Sequence, residues 1–417
     1  MKPNLATLLL ASLLLLTSAA RASTTWYVNG VSGSDANSCL SPGTACQTIG
    51  HAISLASSGD NIIVAPAIYK ERLTITISLN IAGSGAAETI IDGGHFGTVI
   101  YLPNSSAEIA LSGLTVRNGY GHDTYPGGID NNGALTINKS VIRKNESRGG
   151  VARGGGIFNG GSLTINDTTL ELNVVVGGCR TCSGNGGAIN NTGALYINNS
   201  TVINNSAPAY GGGIASFTGS VTINSSNISR NSGLWGGGIY LSGPAIINNS
   251  TFYGNNAQYV GGGIVLSGEE DFILVLSNST LSGNSATYGG GDIDNYYVGT
   301  AILQNTIVAN SLSGGNCGGL DPITSNGYNL SSDGSCNFTG PGDLNNTDPM
   351  LGPLQHNGGP TQTMALPSGS PAIDAGNPAG CTDGQGNLLK TDQRGKPRPD
   401  KEDTGGCDMG AYESQSD

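Results

Sequence analysis

Charged side chains make up only 11% of this 417-residue chain and aromatic ones 6%. Helical periodicity is nearly absent, so an ordinary helical core with charged outer faces is excluded. Basic residues are the scarcest class, with 17 Lys and Arg against 29 Asp and Glu and a formal charge of −12. That balance argues against nucleic acid or an anionic membrane as partner, since both require a basic surface. Beyond residue 22 no apolar run reaches the roughly 18 residues a membrane helix needs. Calcium signatures are missing too. Tyr288-Gly289-Gly290-Gly291-Asp292-Ile293-Asp294 departs from the Gly-Gly-x-Gly-x-Asp spacing of calcium-binding β-rolls, and no EF-hand loop is present. Neither a metal nor a cofactor is expected.

What the chain has is glycine, 68 residues of it, in a phrase that returns. Gly154-Gly155-Gly156-Ile157, Gly186-Gly187-Ala188-Ile189, Gly211-Gly212-Gly213-Ile214, Gly236-Gly237-Gly238-Ile239 and Gly261-Gly262-Gly263-Ile264 are each followed by an aliphatic residue three positions before an Asn. With looser corners at Gly127-Gly128-Ile129 and Gly289-Gly290-Gly291, the seven pairs are Ile142/Asn145, Leu170/Asn173, Val202/Asn205, Ile228/Asn231, Phe252/Asn255, Leu281/Asn284 and Ile307/Asn310, at a period of about 24 to 32 residues. Such a period indicates a solenoid. Alternation within each unit, as in Ala194-Leu195-Tyr196-Ile197-Asn198, predicts short strands. Stacking would place the aliphatic residues from Ile142 to Ile307 in one inner row, with the Asn residues as a ladder beside it. The many Asn-x-Ser/Thr triplets, such as Asn198-Asn199-Ser200, could be glycan acceptors if the host glycosylates there; the preferred reading is that they are products of this repeat. One helix is expected, between Gln47 and Ser58, covering the open edge of the first coil.

Lys2, the apolar run Leu8 to Leu16 and Ala20-Arg21-Ala22 form a secretory signal with a cut after Ala22. The mature protein is expected to be secreted, or associated with the cell surface or outer membrane, and monomeric. Its eight Cys lie as neighbours in sequence. In an exported solenoid, where each repeat touches only the next, they predict disulfides Cys39/Cys46, Cys179/Cys182, Cys317/Cys336 and Cys381/Cys407.

The stretch from Gly59-Asp60-Asn61-Ile62 to Ile68-Tyr69 resembles the first coils of the pectin-lyase-like superfamily, and the Gly-Gly-x-Ile and aliphatic-x-x-Asn elements resemble polymorphic outer-membrane protein repeats. Asp348-Pro349 to Thr361, Ser370-Pro371-Ala372-Ile373-Asp374, Asp392-Gln393-Arg394-Gly395 and Cys407-Asp408-Met409-Gly410-Ala411-Tyr412-Glu413 resemble the choice-of-anchor Q module. These resemblances imply an all-β, right-handed parallel β-helix solenoid with a short N-terminal capping helix and a loop-rich C-terminal cap. The expected divisions are a signal peptide at 1–22, an N-terminal cap and first coils at 23–100, regular coils at 101–339, and the C-terminal module at 340–417.

For function the sequence leaves two readings. A non-catalytic binding protein would use the aromatic residues Tyr210, Trp235, Tyr240, Tyr259, Tyr288, Tyr296 and Tyr297 to hold a polysaccharide or cell-surface glycan. The alternative is a polysaccharide lyase or glycoside hydrolase. Its candidate residues are Arg117, His122, Arg143, Lys144 and Arg148, with Asp123 and Arg153 nearby, forming a basic strip able to neutralise a uronate. Paired glycosidase carboxylates are not evident. Asp130 and Asp294 occupy equivalent corners many coils apart, and Asp294 is expected at a solvated turn. Asp374, Asp392, Arg394, Asp408 and Glu413 are expected to form ion pairs and turn caps.

Overall fold

A computed structural model describes residues 22–177, 184–401 and 406–415. The signal segment before Ala22 lies outside the described residues.

Coils run in sequence and stack in parallel. One eleven-stranded sheet takes a single strand from each successive coil, from Ala67–Tyr69 to Leu330–Ser331. The larger sheet takes two strands per coil, such as Ile129–Asn131 and Ala134–Asn138, bent apart at a corner. β-branched residues at alternate positions fit such half-buried strands. The result is an all-β parallel β-helix. The one α-helix among the described residues, Ile49–Leu55, is shorter than the predicted span. Glu71 accepts the helix's first free N–H groups, from Ile49 and Gly50, and Ile49 and Ala52 are buried against the first coil.

Inner rows are apolar, aliphatic except at Phe252, and closed to solvent. Ile129, Ile157, Ile189, Ile214, Ile239, Ile264 and Ile293 form one. Ile142, Leu170, Val202, Ile228, Phe252 and Leu281 form another. The second row ends on Val308, not on Ile307 as the pattern suggested. Ile307 instead faces the other way, into a satellite core with Leu366, Ala372 and Met409.

The expected Asn ladder runs from Asn145 through Asn173, Asn205, Asn231 and Asn255 to Asn284, each Nδ2 donating to the next Oδ1 at 2.9–3.0 Å. Asn310 is not part of it. It sits at an exposed left-handed turn (φ 61°), while Asn316 reaches the Val308 carbonyl that a ladder residue would bond. Two further ladders are present, one of them Asn138, Asn166, Asn198, Asn224 and Asn248. The Ser and Thr of the triplets also stack. Ser140, Thr168, Ser200, Ser226, Ser250 and Ser279 are buried, and each accepts the backbone N–H of the equivalent residue one coil earlier or of its neighbour. The Asn-x-Ser/Thr pattern is thus hydrogen-bonding architecture.

Glycine is required at the corners for two reasons. Gly154 adopts φ +66°, and a Cβ on Gly155 would lie 2.5 Å from the Gly187 carbonyl oxygen of the next coil.

Disulfides join Cys39–Cys46, Cys317–Cys336 and Cys381–Cys407. The expectation of four bridges is thus met at three. Cys182 and its predicted partner Cys179 lie outside the described residues, so the structure does not assign that bridge and it stays a proposal. Phe338 returns into the main core beside Cys317–Cys336 and closes the last coil.

The C-terminal segment does more than cap an end, because it folds back along the coils as a strap. Asn249 and Asn278 donate to the Thr391 and Thr382 carbonyls, Thr251 bonds Gln393, and Ala411 N–H donates to Thr280 Oγ1. Inside the strap Arg394 pairs with Asp392 at 2.7 Å and lies 3.6 Å from the Tyr412 ring centroid. Asp408 accepts the Asp374 and Ser414 N–H groups. Arg398, not singled out from the sequence, makes a fully buried pair with Glu413 at 2.7 Å.

Candidate functional site

The residue just before each glycine corner lies on the outside of the solenoid. On four coils that neighbourhood is aromatic, at Tyr210, Trp235, Tyr259 and Tyr288. Parallel stacking brings the rings together. Centroids are 4.6 Å apart for Tyr210–Tyr240, 6.4 Å for Tyr210–Trp235, 4.6 Å for Trp235–Tyr259 and 5.2 Å for Tyr259–Tyr288. Phe217 extends the track beyond Tyr240 (5.5 Å), and Tyr296 stands edge-on to Trp235 (4.8 Å). Their undersides pack on Val260 and Val265. Tyr240 is buried and its hydroxyl donates to the Ser267 carbonyl, while Tyr288 and Tyr297 are exposed. Burial pushes the Tyr240 hydroxyl up to about 12, so it remains a neutral donor.

Next to the track lies a groove of about 650 Å³. Tyr210, Phe217 and Tyr240 line one side. The other side is a local widening of the coil, where strand Ile264–Ser277 runs on through Ser267 to Phe272 with shifted register against its neighbour. At that widening Glu269, Glu270 and Asp271 are exposed.

The basic candidates do not present a free cationic strip. Asp92, Arg117, Arg143 and Glu171 stack in register on successive coils. Each base uses the acid at its own end of the column, Arg117 with Asp92 at 2.7 Å and Arg143 with Glu171 at 3.2 Å. Burial works against the Asp92 carboxylate, but hydrogen bonds from Arg117, Gly94 and Asn118 outweigh it and hold the group below its usual range. Arg148 pairs with Glu146 and lies over the Tyr120 ring, and His122 bonds Asp123 at 2.8 Å. Lys144 occupies an exposed left-handed turn, and Arg153 stacks over Phe158.

The acidic corners differ from expectation in one respect. Asp130 and Asp294 do occupy equivalent positions, separated by Phe158, Asn190, Ala215, Tyr240 and Val265. Asp294, however, is fully buried, not solvated, and so is Asp292. Burial pushes Asp294 and Asp130 each up to about 6 and Asp292 to about 7. Asp292 accepts from Asn284 Nδ2 at 2.6 Å and from Ser311 Oγ at 2.8 Å, which makes it the terminus of the Asn ladder. Asp294 accepts the Gly290 N–H, and its Oδ1 is unpartnered.

No family model and no curated protein matches the sequence. Among solved structures the chain is similar to pectate lyase Pel9A, at 14% identity and a TM-score of 0.56 over 94% of this chain and 97% of that one. A weaker overlap is with a pectin methylesterase mutant in complex with a hexasaccharide (13% identity, TM-score 0.34, 67% of this chain and 82% of that one). Another is with the GH136 lacto-N-biosidase from Eubacterium ramulus (11%, TM-score 0.40, 74% and 64%). At these identities the likeness concerns architecture alone, and the chain has the pectate-lyase-like parallel β-helix fold.

Proposed function

We propose that this chain is an exported, monomeric β-helix protein that binds a polysaccharide or cell-surface glycan along the aromatic track, without turnover. The observation that carries this reading is the continuous line of rings from Phe217 to Tyr288 beside an open groove. Aromatic rings offer large, rigid, amphipathic faces at low entropic cost, and a sugar ring's apolar face is a suitable counterpart. Three disulfides favour an oxidising compartment. The resemblance of the strap to an anchoring module supports retention at the cell surface as the variant of this reading.

An enzyme on this fold would need accessible groups with free charge or a free proton. Arg117, Arg143 and Arg148 are paired, and the carboxyl groups pushed up furthest are closed to solvent. The test is a panel of acidic and neutral polysaccharides, read for both binding and formation of unsaturated or reducing-end products. Binding without product, weakened by Tyr210→Ala or Tyr259→Ala, is the expected result. Product formation lost in Arg143→Ala or Lys144→Ala would overturn the proposal in favour of a lyase.

A further inference from the structure

The groove's charge narrows the ligand class. Resting on the glycan-binding reading above, we infer that the preferred ligand is a cationic glycan, a polymer of amino sugars with free amines. Its rings would stack on Tyr210 and Phe217, which the buried Tyr240 supports from behind, while its ammonium groups face Glu269, Glu270 and Asp271.

Two independent observations support this. The aromatic side of the groove offers rigid, amphipathic faces for sugar rings. The opposite side carries three adjacent exposed carboxylates, none of them in an ion pair among the described residues. The coils that carry the groove are themselves poor in cations, since the sequence contains no Lys, Arg or His between Arg230 and His356, a stretch that includes all of the track except Tyr210 and Phe217. A polyuronate brought into this groove would place carboxylate against carboxylate, which is the arrangement that suppresses wrong partners. A neutral glycan would gain the stacking only. An amine-bearing chain would gain stacking and a charge-assisted contact at every residue facing the widened coil.

The experiment compares a fully deacetylated glucosamine oligomer with its N-acetylated counterpart and with oligogalacturonate. Titration calorimetry is run at mildly acidic pH, where the amines of the oligomer are protonated. The deacetylated oligomer should bind about tenfold more tightly than the acetylated one, equivalent to about 1.4 kcal/mol. That preference should collapse when salt is raised from about 0.05 to about 0.5 M. It should also collapse in Glu269→Gln/Glu270→Gln/Asp271→Asn, and the salt series supplies the same reading on the unmodified protein.

Equal affinity for the two oligomers, or preference for the galacturonate, would overturn the cationic assignment while leaving glycan binding standing. Failure of every glucosamine oligomer to bind would overturn it too, and the wider polysaccharide panel then decides the parent reading separately. Polylysine binding as tightly as the deacetylated oligomer would overturn it in favour of a cationic polypeptide.

Discussion

Replacing Asp292 with Asn should make the protein more stable at alkaline pH and leave it unchanged in acid. Asp292 is completely buried at the end of the Asn ladder, and burial raises its carboxyl from 3.8 to about 7, with hydrogen bonds from Asn284 and Ser311 opposing the rise. The folded state thus holds a proton that the unfolded chain has lost across the window from about pH 4 to about 7. Stability falls as pH rises through that window, and above it the whole penalty persists. The gap between 3.8 and about 7 corresponds to about 4 kcal/mol. Asn is neutral at every pH and nearly isosteric; its Oδ1 can accept from Asn284 while its amide donates to Ser311 Oγ. Asp292→Asn should therefore gain up to about 4 kcal/mol at pH 8. Spread over a chain of this size, that is a rise of about 5 °C in Tm. At pH 4 the two proteins should melt together. Thermal unfolding followed by circular dichroism at both pH values tests this. A variant destabilised equally at pH 8 and pH 4 would refute the reasoning, and would mean that the aligned ladder amides hold a carboxylate there at no net cost.

Other perturbations reach different layers of the fold. The unmodified protein should itself lose stability between pH 4 and 7, because Asp130 and Asp294 are also pushed up, to about 6. Denaturant midpoints that rise across that range would contradict this. Asn205→Leu removes an amide that bonds Asn173, Asn231 and the Leu170 carbonyl, leaving buried groups unpaired at about 1–3 kcal/mol each. A loss of about 3 kcal/mol or more in urea unfolding is expected. Arg398→Met leaves the Glu413 carboxylate buried without its partner, at about 3–5 kcal/mol. It should expose the strap to limited proteolysis, and Arg398→Met/Glu413→Leu should restore most of the protection.

The fold was legible because stacking forces repetition, and repetition is visible in one sequence. Glycine corners, the aliphatic row and the Asn ladder each occupy a fixed place in the phrase. Errors came where the phrase met something from outside it. Ile307 has the spacing of an inner residue, but the strap supplies a second apolar surface for it, and a local pattern cannot show a contact with a segment some sixty residues away. A signal for that contact does exist. The outward row of the larger sheet reads Thr136, Thr164, Tyr196, Thr222 and then Ile246, Val275 and Ile302. It turns aliphatic where the strap lies, with Gly384 against Ile246 and Val275.

The aromatic track was legible for a reason like that of the core, since Tyr210, Trp235, Tyr259 and Tyr288 sit one or two residues before successive glycine corners. Its acidic neighbour was not, because Ser267 to Phe272 lengthens the coil beyond the repeat, and the next coil widens with it at Tyr297 and Gly299. The basic strip misled by omission. Arg117 and Arg143 do stack, but Asp92 and Glu171, one coil to either side, neutralise them.

Amide hydrogen exchange, with and without a saturating glycan identified from the polysaccharide panel, tests most directly where this protein binds. The account predicts slowed exchange confined to residues 209–218, 234–244, 258–272 and 287–299, on both sides of the aromatic groove. Protection concentrated instead on residues 115–153, with the aromatic coils unchanged, would contradict it.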